Sequence, residues 1–276
     1  MRGVSVRDAL DGARTAIGAS GSQSAALDAE LLLAFALGVD RAALITDPQR
    51  EITGPPVRVF QDLVRRRSVG HEPVAYLLAS KGFRSIELQV DSRVLVPRPE
   101  TELLVELALQ LPQQARVLDV GTGSGAVALA LKQERPDLII SGSEISAGAL
   151  EVARGNAERL GLEVEFFQAD LLTGLGWQWD AILSNPPYIA ESERASLPPD
   201  VIGHEPQLAL MGGADGLDVI RPLVAAAAQS EARLLAIELG AGQAGAVAQL
   251  ITAAGFTTVV AHPDLAGIER VVVGER

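Results

Sequence analysis

The residues of this chain best suited to chemistry are Asn185, Pro186, Pro187 and Tyr188, which follow a short apolar run, Ala181-Ile182-Leu183, with the character of a buried strand. An asparagine at a strand's exit presents a side-chain carbonyl oxygen. The peptide carbonyl of Asn185 itself or of Pro186 offers a second acceptor nearby, and the two together can hold an NH2 group. Consecutive prolines have no backbone N–H and a fixed φ, so the turn is stiff and presents acceptors rather than donors. Tyr188 adds a flat face. A planar amide or amino-aromatic group held this way has its hydrogens engaged, and its nitrogen lone pair can be pushed toward an electrophile. The same four residues also read as a strand stop followed by a loop, so the decision lies upstream.

There, Asp119-Val120-Gly121-Thr122-Gly123-Ser124-Gly125 sets glycines at alternate positions. Such a turn lets a ligand approach the backbone closely, and the helix after it offers its N-terminal N–H groups. Alone it is weak evidence, because nicotinamide cofactors use similar turns. Glu144 supplies a carboxylate that can accept both hydroxyls of a ribose, at a distance from the glycines that fits a nucleoside-containing cofactor. By itself it is equally a surface carboxylate near a helix start. Asp170-Leu171 falls where an adenine ring would lie, the acid accepting from its amino group and Leu171 covering the ring.

Spacing separates the cofactor classes. A dinucleotide site prefers Gly-x-Gly-x-x-Gly, whereas this turn runs Gly-x-Gly-x-Gly behind Asp119. S-adenosylmethionine has no pyrophosphate and carries a positive sulfonium and an ammonium, so an acidic pocket suits it. The expected cofactor contacts are Gly121, Thr122, Gly123, Ser124, Gly125, Glu144, Leu171 and Asn185.

The elements that must position these groups alternate from residue 116 onward. Strands are expected at 116–120, 138–142, 164–167, 180–184 and 234–239, and helices at 124–134, 146–160, 217–229 and 244–254. Two closing strands follow at 257–261 and 270–273. This alternation specifies an α/β fold with a doubly wound, mostly parallel sheet, in which ligands sit beyond the carboxyl ends of the strands.

Before it, residues 1–78 read as helices separated by turns. Leu27, Leu31 and Phe35 recur every four residues with Asp28 and Glu30 on the other side, giving a helix over 24–37 ended by Gly38. Asp40 caps a short helix to about Ile45. Pro55 and Pro56 open another over 56–68 with Val59, Leu63 and Val64 inward. Alternation of Phe83, Ile86, Leu88, Val90 and Val94 predicts a hairpin or strand pair as a linker over 79–96. A helix from Glu100 to Leu111 turns Leu103, Leu104, Leu107 and Leu111 inward.

Composition narrows the classes. The chain has 276 residues, a formal net charge of -12 and no cysteine, which excludes a disulfide framework and a thiolate metal site. Three scattered histidines, His71, His204 and His262, make no metal centre. The acidity argues against a broad nucleic-acid footprint, and Arg65-Arg66-Arg67 reads as a solvated helix face. No apolar run reaches the roughly 18 residues that span a bilayer. The expected location is the cytoplasm, with no membrane or nucleic-acid partner and a monomeric state.

Asp119 to Gly125, Glu144 to Asn156 and Asn185 to Tyr188 together resemble the class I S-adenosylmethionine-dependent methyltransferases, with their Rossmann-like sheet. More closely, Phe83, Val96-Pro97-Arg98-Pro99-Glu100-Thr101-Glu102, His204-Glu205-Pro206, Gly213-x-x-Gly216-Leu217 and Asp264-x-x-Gly267-x-x-Arg270 resemble the peptide chain release factor glutamine methyltransferases. The likeness runs through nearly the whole chain. Glu144 stands where that family commonly has Asp, and His204 where it has Tyr.

The resemblance implies a catalytic domain over 97–276, a helical release-factor-binding domain over 1–78, and methyl transfer to the Gln side-chain amide of a Gly-Gly-Gln motif. Asn185 and Pro186 would be catalytic, with Pro187 and Tyr188 walling the substrate slot. No general base is needed before attack, because the methylated nitrogen becomes acidic and loses its proton afterward. Alignment of the reactants would be the main resource, worth up to about 7 to 11 kcal/mol. An amino methylase of DNA or RNA is the competing reading, since Asn-Pro-Pro-Tyr is shared with methylases of DNA adenine. A noncatalytic cofactor-binding protein is a third.

Overall fold

The computed structural model describes residues 3–176 and 178–276; the first two positions of the expected helical domain lie outside the described residues. The chain divides into two compact units, one formed by residues up to Ser80 with Pro198–His204, the other by Lys81–Leu197 with Glu205–Arg276.

In the first unit β1 (Val4–Ser5) leads into α1 (Val6–Ala19), followed by α2 (Ala25–Leu37), α3 (Arg41–Thr46), β2 (Glu51–Ile52), α4 (Pro55–Ser68) and α5 (Val74–Leu77). β1 pairs with β2 antiparallel. Local chemistry sets the boundaries. Ser5 and Asp40 accept from the N–H groups of Asp8 and Ala42 and start α1 and α3, and Gly38 ends α2 in a left-handed conformation at φ 64°.

The buried faces differ from the expected ones. Leu27 and Phe35 are exposed, and the side of α2 that carries Asp28 is the buried one. On α4, Phe60, Leu63 and Arg67 are buried while Val59 is exposed. Helix α2 is apolar nearly all round, so its four-residue spacing does not single out a face. An ion pair does. Arg67 Nε donates to Asp28 Oδ2 at 2.8 Å, and Ser22 and Ser24 donate to the same carboxylate. Arg67 also reaches Asp200 at 3.1 Å. The third arginine of the expected solvated face is therefore a buried link within this unit. Paired and fully hydrogen-bonded, the two charges can stay buried.

The second unit begins with a hairpin of β3 (Lys81–Phe83) and β4 (Ile86–Leu88). The expected alternation beyond Leu88 forms no strand, although Val90 and Val94 are buried. After a 3-10 turn at Pro99–Thr101 comes α6 (Glu102–Ala108), which stops short of Leu111. Then follow β5 (Arg116–Val120), α7 (Ala126–Glu134), β6 (Ile139–Glu144), α8 (Ala147–Leu160), β7 (Glu165–Gln168) and β8 (Ala181–Ser184). Next in the chain are α9 (Pro199–His204, part of the first unit), α10 (Ile220–Gln229), β9 (Leu234–Glu238), α11 (Ala244–Ala253), β10 (Thr258–Pro263) and β11 (Glu269–Glu275).

The sheet order is β10-β11-β9-β8-β5-β6-β7. Its five strands from β7 to β9 are parallel, and β11 lies antiparallel between β9 and β10. The order reverses between β5 and β8, so the crevice for a ligand opens at their carboxyl ends. Side chains of α10 and α11 (Leu223, Val224, Val247, Ile251) pack on Leu118, Ile182, Leu235 and Val272 of the sheet. Each such buried aliphatic group stabilises the unit by roughly 1.5–3 kcal/mol. This core fixes the strands whose ends carry the polar residues.

Candidate active site

Strand register builds the site. Val120 on β5 pairs with Ser143 on β6 and with Ser184 on β8, and Ser184 pairs with Ile237 on β9. One residue further along each strand stand Gly121, Glu144, Asn185 and Glu238, in one row at the carboxyl edge. Adjacent strands lie about 4.8 Å apart, so Asn185 sits one strand from the glycine turn on one side and one strand from Glu238 on the other. The Ser184 hydroxyl donates to the Val120 carbonyl at 2.7 Å and ties the two strand ends together.

The glycine turn is held from below. Gly121 and Thr122 N–H groups donate to the Ser143 carbonyl at 2.8 and 3.0 Å, and Gly121 and Gly123 take positive φ values of 72° and 56°. Asp119 is buried under the turn, where it accepts from the Thr122 hydroxyl at 2.6 Å and from the Ala128 N–H. Burial pushes its carboxyl up to about 6. Asn156, fully buried, donates to the Ser124 and Gln89 carbonyls and accepts from the Gln89 N–H, which props the end of the turn against the segment after β4. Gly125 does not line the cleft. It starts α7 at φ 83°, where a Cβ would meet Leu129 at 2.8 Å.

A cleft of about 1230 Å³, partly open to solvent, lies above this row and is contained in the second unit. Gly121, Thr122, Gly123, Ser124, Glu144, Leu171, Asn185, Pro186 and Pro187 line it, together with Asp170, Arg98 and Thr101. Glu144 takes the Gly123 N–H on one oxygen at 3.1 Å and the Ser146 N–H on the other at 2.9 Å. A carboxylate so oriented keeps lone pairs for two hydroxyls. Leu171 holds a left-handed φ of 53° at the cleft wall, which costs an L-residue about 1–2 kcal/mol and so is imposed by its surroundings. A carboxylate for a diol, an apolar wall and an acidic residue beside it, and a glycine turn open to close approach form a donor set that fits S-adenosylmethionine.

The acceptor turn is positioned by what surrounds it. Asn185 Nδ2 donates to Thr101 Oγ1 at 3.0 Å, and Pro186 is buried beside it. Tyr188 is not in the cleft wall. Its ring packs on the core and over Gly240, its carbonyl accepts from Gln243 Nε2 at 3.0 Å, and burial pushes its phenol up to about 12. A second loop closes on this stretch: a Cβ on Gly212 would lie 2.7 Å from the Pro187 carbonyl oxygen, and one on Gly216 2.3 Å from that of Tyr188. The backbone there can come so close only because neither residue has a side chain.

Two residues escaped the sequence reading. Thr101 belongs to a segment that served as a motif, without a role of its own. Glu238 is 1% exposed, ends the apolar run Leu234-Leu235-Ala236-Ile237, and has its Oε2 buried with no hydrogen-bond partner among the described residues. A carboxylate closing a strand beside the Asn185 strand was the available signal.

Comparison with known proteins matches residues 8–78 to the PrmC N-terminal domain and residues 99–206 to the methyltransferase small domain. The release factor glutamine methyltransferase of Geobacter sulfurreducens is 40% identical over 98% of this chain and 96% of its own length. The chain belongs to the release factor glutamine methyltransferase family. The family's enzyme from Deinococcus radiodurans is 41% identical over 98% of both chains. A methyltransferase structure from Pyrococcus furiosus, 18% identical, superimposes with a TM-score of 0.54 over 71% of this chain and 91% of that one, which shows the shared fold.

Family motifs acquire physical meaning here. Asp264 accepts from the Ala266 and Ile268 N–H groups and from Arg270 Nε, so Asp264-x-x-Gly267-x-x-Arg270 closes the β10–β11 hairpin. Among the described residues no helix is long and apolar enough to cross a membrane.

Proposed function

We propose that this chain transfers the methyl group of S-adenosylmethionine to the side-chain amide nitrogen of the Gln in the Gly-Gly-Gln motif of translation release factors. The observation that carries the reading is the Asn185 amide. Its NH2 is engaged by Thr101, and among the described residues no donor is bonded to its Oδ1, at the exit of β8 and one strand from the glycine turn. An acceptor at that point suits a substrate NH2, and membership in the family selects the glutamine amide.

When bound, the cofactor supplies a methyl carbon made electrophilic by its sulfonium sulfur. Gly121, Thr122, Gly123 and Ser124 form its backbone cradle, Glu144 accepts from its ribose hydroxyls, and Leu171 covers the adenine. An amide nitrogen is a poor nucleophile because its lone pair is delocalised into the carbonyl. Asn185 Oδ1 and the Pro186 carbonyl accept its two hydrogens, hold the nitrogen in one place and favour pyramidal geometry. Pro187 walls the slot. Orientation of this kind is a large share of what a site can contribute.

The helical unit is the part that grips the release factor away from the Gly-Gly-Gln loop, residues 79–96 link it to the catalytic part over 97–276, and the enzyme acts as a monomer in the cytoplasm without contacting nucleic acid. The acidic charge of -12 supports the last point. The test is to incubate the full chain with methyl-labelled S-adenosylmethionine and either a release factor or DNA. One added methyl on the Gly-Gly-Gln peptide is expected by mass spectrometry. Label found in DNA, or in neither, overturns the reading.

A further inference from the structure

The turn that joins β10 to β11 takes no part in the site described above, yet strand register puts it on the same edge of the sheet. Val271 on β11 pairs with Glu238 on β9, and Glu238 stands in the row with Asn185. Strand β11 runs against β9, so its first residues and the turn before them project past the carboxyl edge. Ile268, three positions before Val271, lies about 10 Å further out. Strand β11 is two strands from β8, about 10 Å to the side. That side is the one away from the glycine turn, Glu144 and Leu171, so the turn stands beside the substrate slot rather than the cofactor cradle.

The turn is tightly held, and its surface is apolar. Asp264 faces inward with its side chain 11% exposed. It accepts from the Ala266 and Ile268 N–H groups at 2.8 and 3.0 Å and from Arg270 Nε at 3.1 Å. The Asp264 N–H donates to the Ile268 carbonyl and the Gly267 N–H to the Asp264 carbonyl, with Gly267 at a φ of 80°. Leu265, Ala266, Gly267 and Ile268 are all exposed, Leu265 completely. Turns normally carry polar residues, and a run of exposed residues without one polar side chain is unfavourable unless the surface has a use. A backbone fixed in this way loses little freedom when a partner packs on it.

We propose that the tip formed by Leu265 and Ile268 is a docking point for the release factor, packing on the chain that flanks the Gly-Gly-Gln loop. The partner is the protein substrate because the tip is continuous with the slot at Asn185 and lies on its far side from the cofactor residues. Tip and Asn185 are about 14 Å apart, which is roughly four residues of extended chain. The contact therefore falls on release-factor residues about four positions from the glutamine. The inference rests on the placement of that glutamine at Asn185 given above.

The test uses the full-length enzyme and an intact Gly-Gly-Gln release factor. Leu265→Glu should raise KM for the factor about tenfold with kcat within twofold, and Leu265→Met should keep the parental KM. The preference for the intact factor over a peptide with one residue on either side of Gly-Gly-Gln, which ends short of the tip, should fall by the same factor in Leu265→Glu. Melting curves and cofactor titration confirm that the variant is folded and loaded. Because the chain has no cysteine, Leu265→Cys provides a single labelling position. An environment-sensitive dye there should shift to the blue when release factor is added. The same dye on Ile139→Cys, exposed at the amino end of β6, should not respond.

A parental KM in Leu265→Glu, or a dye at position 265 that stays silent at saturating factor, overturns the proposal. A dye that responds to enzyme concentration instead assigns the tip to a second copy of this chain and overturns it as well. If the parent methylates no release factor, the functional reading has failed. If the parent methylates it and Leu265→Glu does so with the same KM, only the docking point has failed.

Discussion

Arg98 Nη2 donates to the buried carboxylate of Glu205 across 2.5 Å, and the other oxygen of Glu205 accepts from the Val96 N–H at 3.3 Å. Two segments 107 residues apart in sequence are thereby fastened together, and both contribute to the cleft: Pro97, Arg98 and Thr101 from one, Pro206, Leu208 and Ala209 from the other. Glu205→Ala leaves Arg98 without its partner and Val96 N–H without an acceptor. It should cost about 2 kcal/mol, read as a lower denaturant midpoint, and should weaken cofactor binding. A variant with unchanged midpoint and unchanged affinity would show the pair to be incidental.

Removal of the acceptor is the most direct check on the chemistry. Asn185→Ala should reduce methyl transfer by about a thousandfold or more, consistent with loss of a group aimed at the reacting atom. Cofactor affinity measured by calorimetry should stay within a few fold. Near-normal turnover would refute the assigned role.

Burial holds the Glu238 carboxyl at about 7, well above the ordinary glutamate value of 4.5, and gives a signature in stability. Between those two values the folded chain keeps a proton that the unfolded chain has released. Stability from this group is therefore full below about pH 4.5 and is lost as pH rises through about 7. The span corresponds to on the order of 3 kcal/mol. Glu238→Gln does not titrate, so its stability relative to the parent should rise by that order between pH 4.5 and pH 8.5 in the absence of cofactor. A difference that does not change with pH would mean the carboxylate is solvated.

The exposed apolar side of α2 offers a test of the helical unit. Phe35 and Leu27 are 52% and 43% exposed. If this unit grips the release factor, Phe35→Glu with Leu27→Glu should raise KM for the intact factor about tenfold. Methylation of a short Gly-Gly-Gln peptide should not change. Equal effects on both substrates would remove the unit from recognition.

The parallel core was legible because each of its strands is a short apolar run between helices with clear starts, and because Pro186 and Pro187 stop one of them beside an asparagine. Other features depend on partners far away in sequence. Asp28 reads as an outer residue until Arg67, 39 positions on, is known to meet it. The antiparallel insertion of β11 between β9 and β10 has no local signature, since strand direction is not written in alternation. Tyr188 carries the same letter whether it walls a slot or covers Gly240. Glu238 looks like any acid at a strand end until the register sets it beside Asn185.

The approach of Gly212 and Gly216 to the carbonyls of Pro187 and Tyr188 makes the seat of the reaction depend on two hydrogen atoms where other residues have a carbon. Adding a methyl there touches no substrate and alters no charge, yet it must shift the bend that carries Asn185. Displacements of about 1 Å can slow a reaction a hundredfold, so the enzyme's catalytic power is mechanically exposed at two glycines that themselves touch no reacting atom.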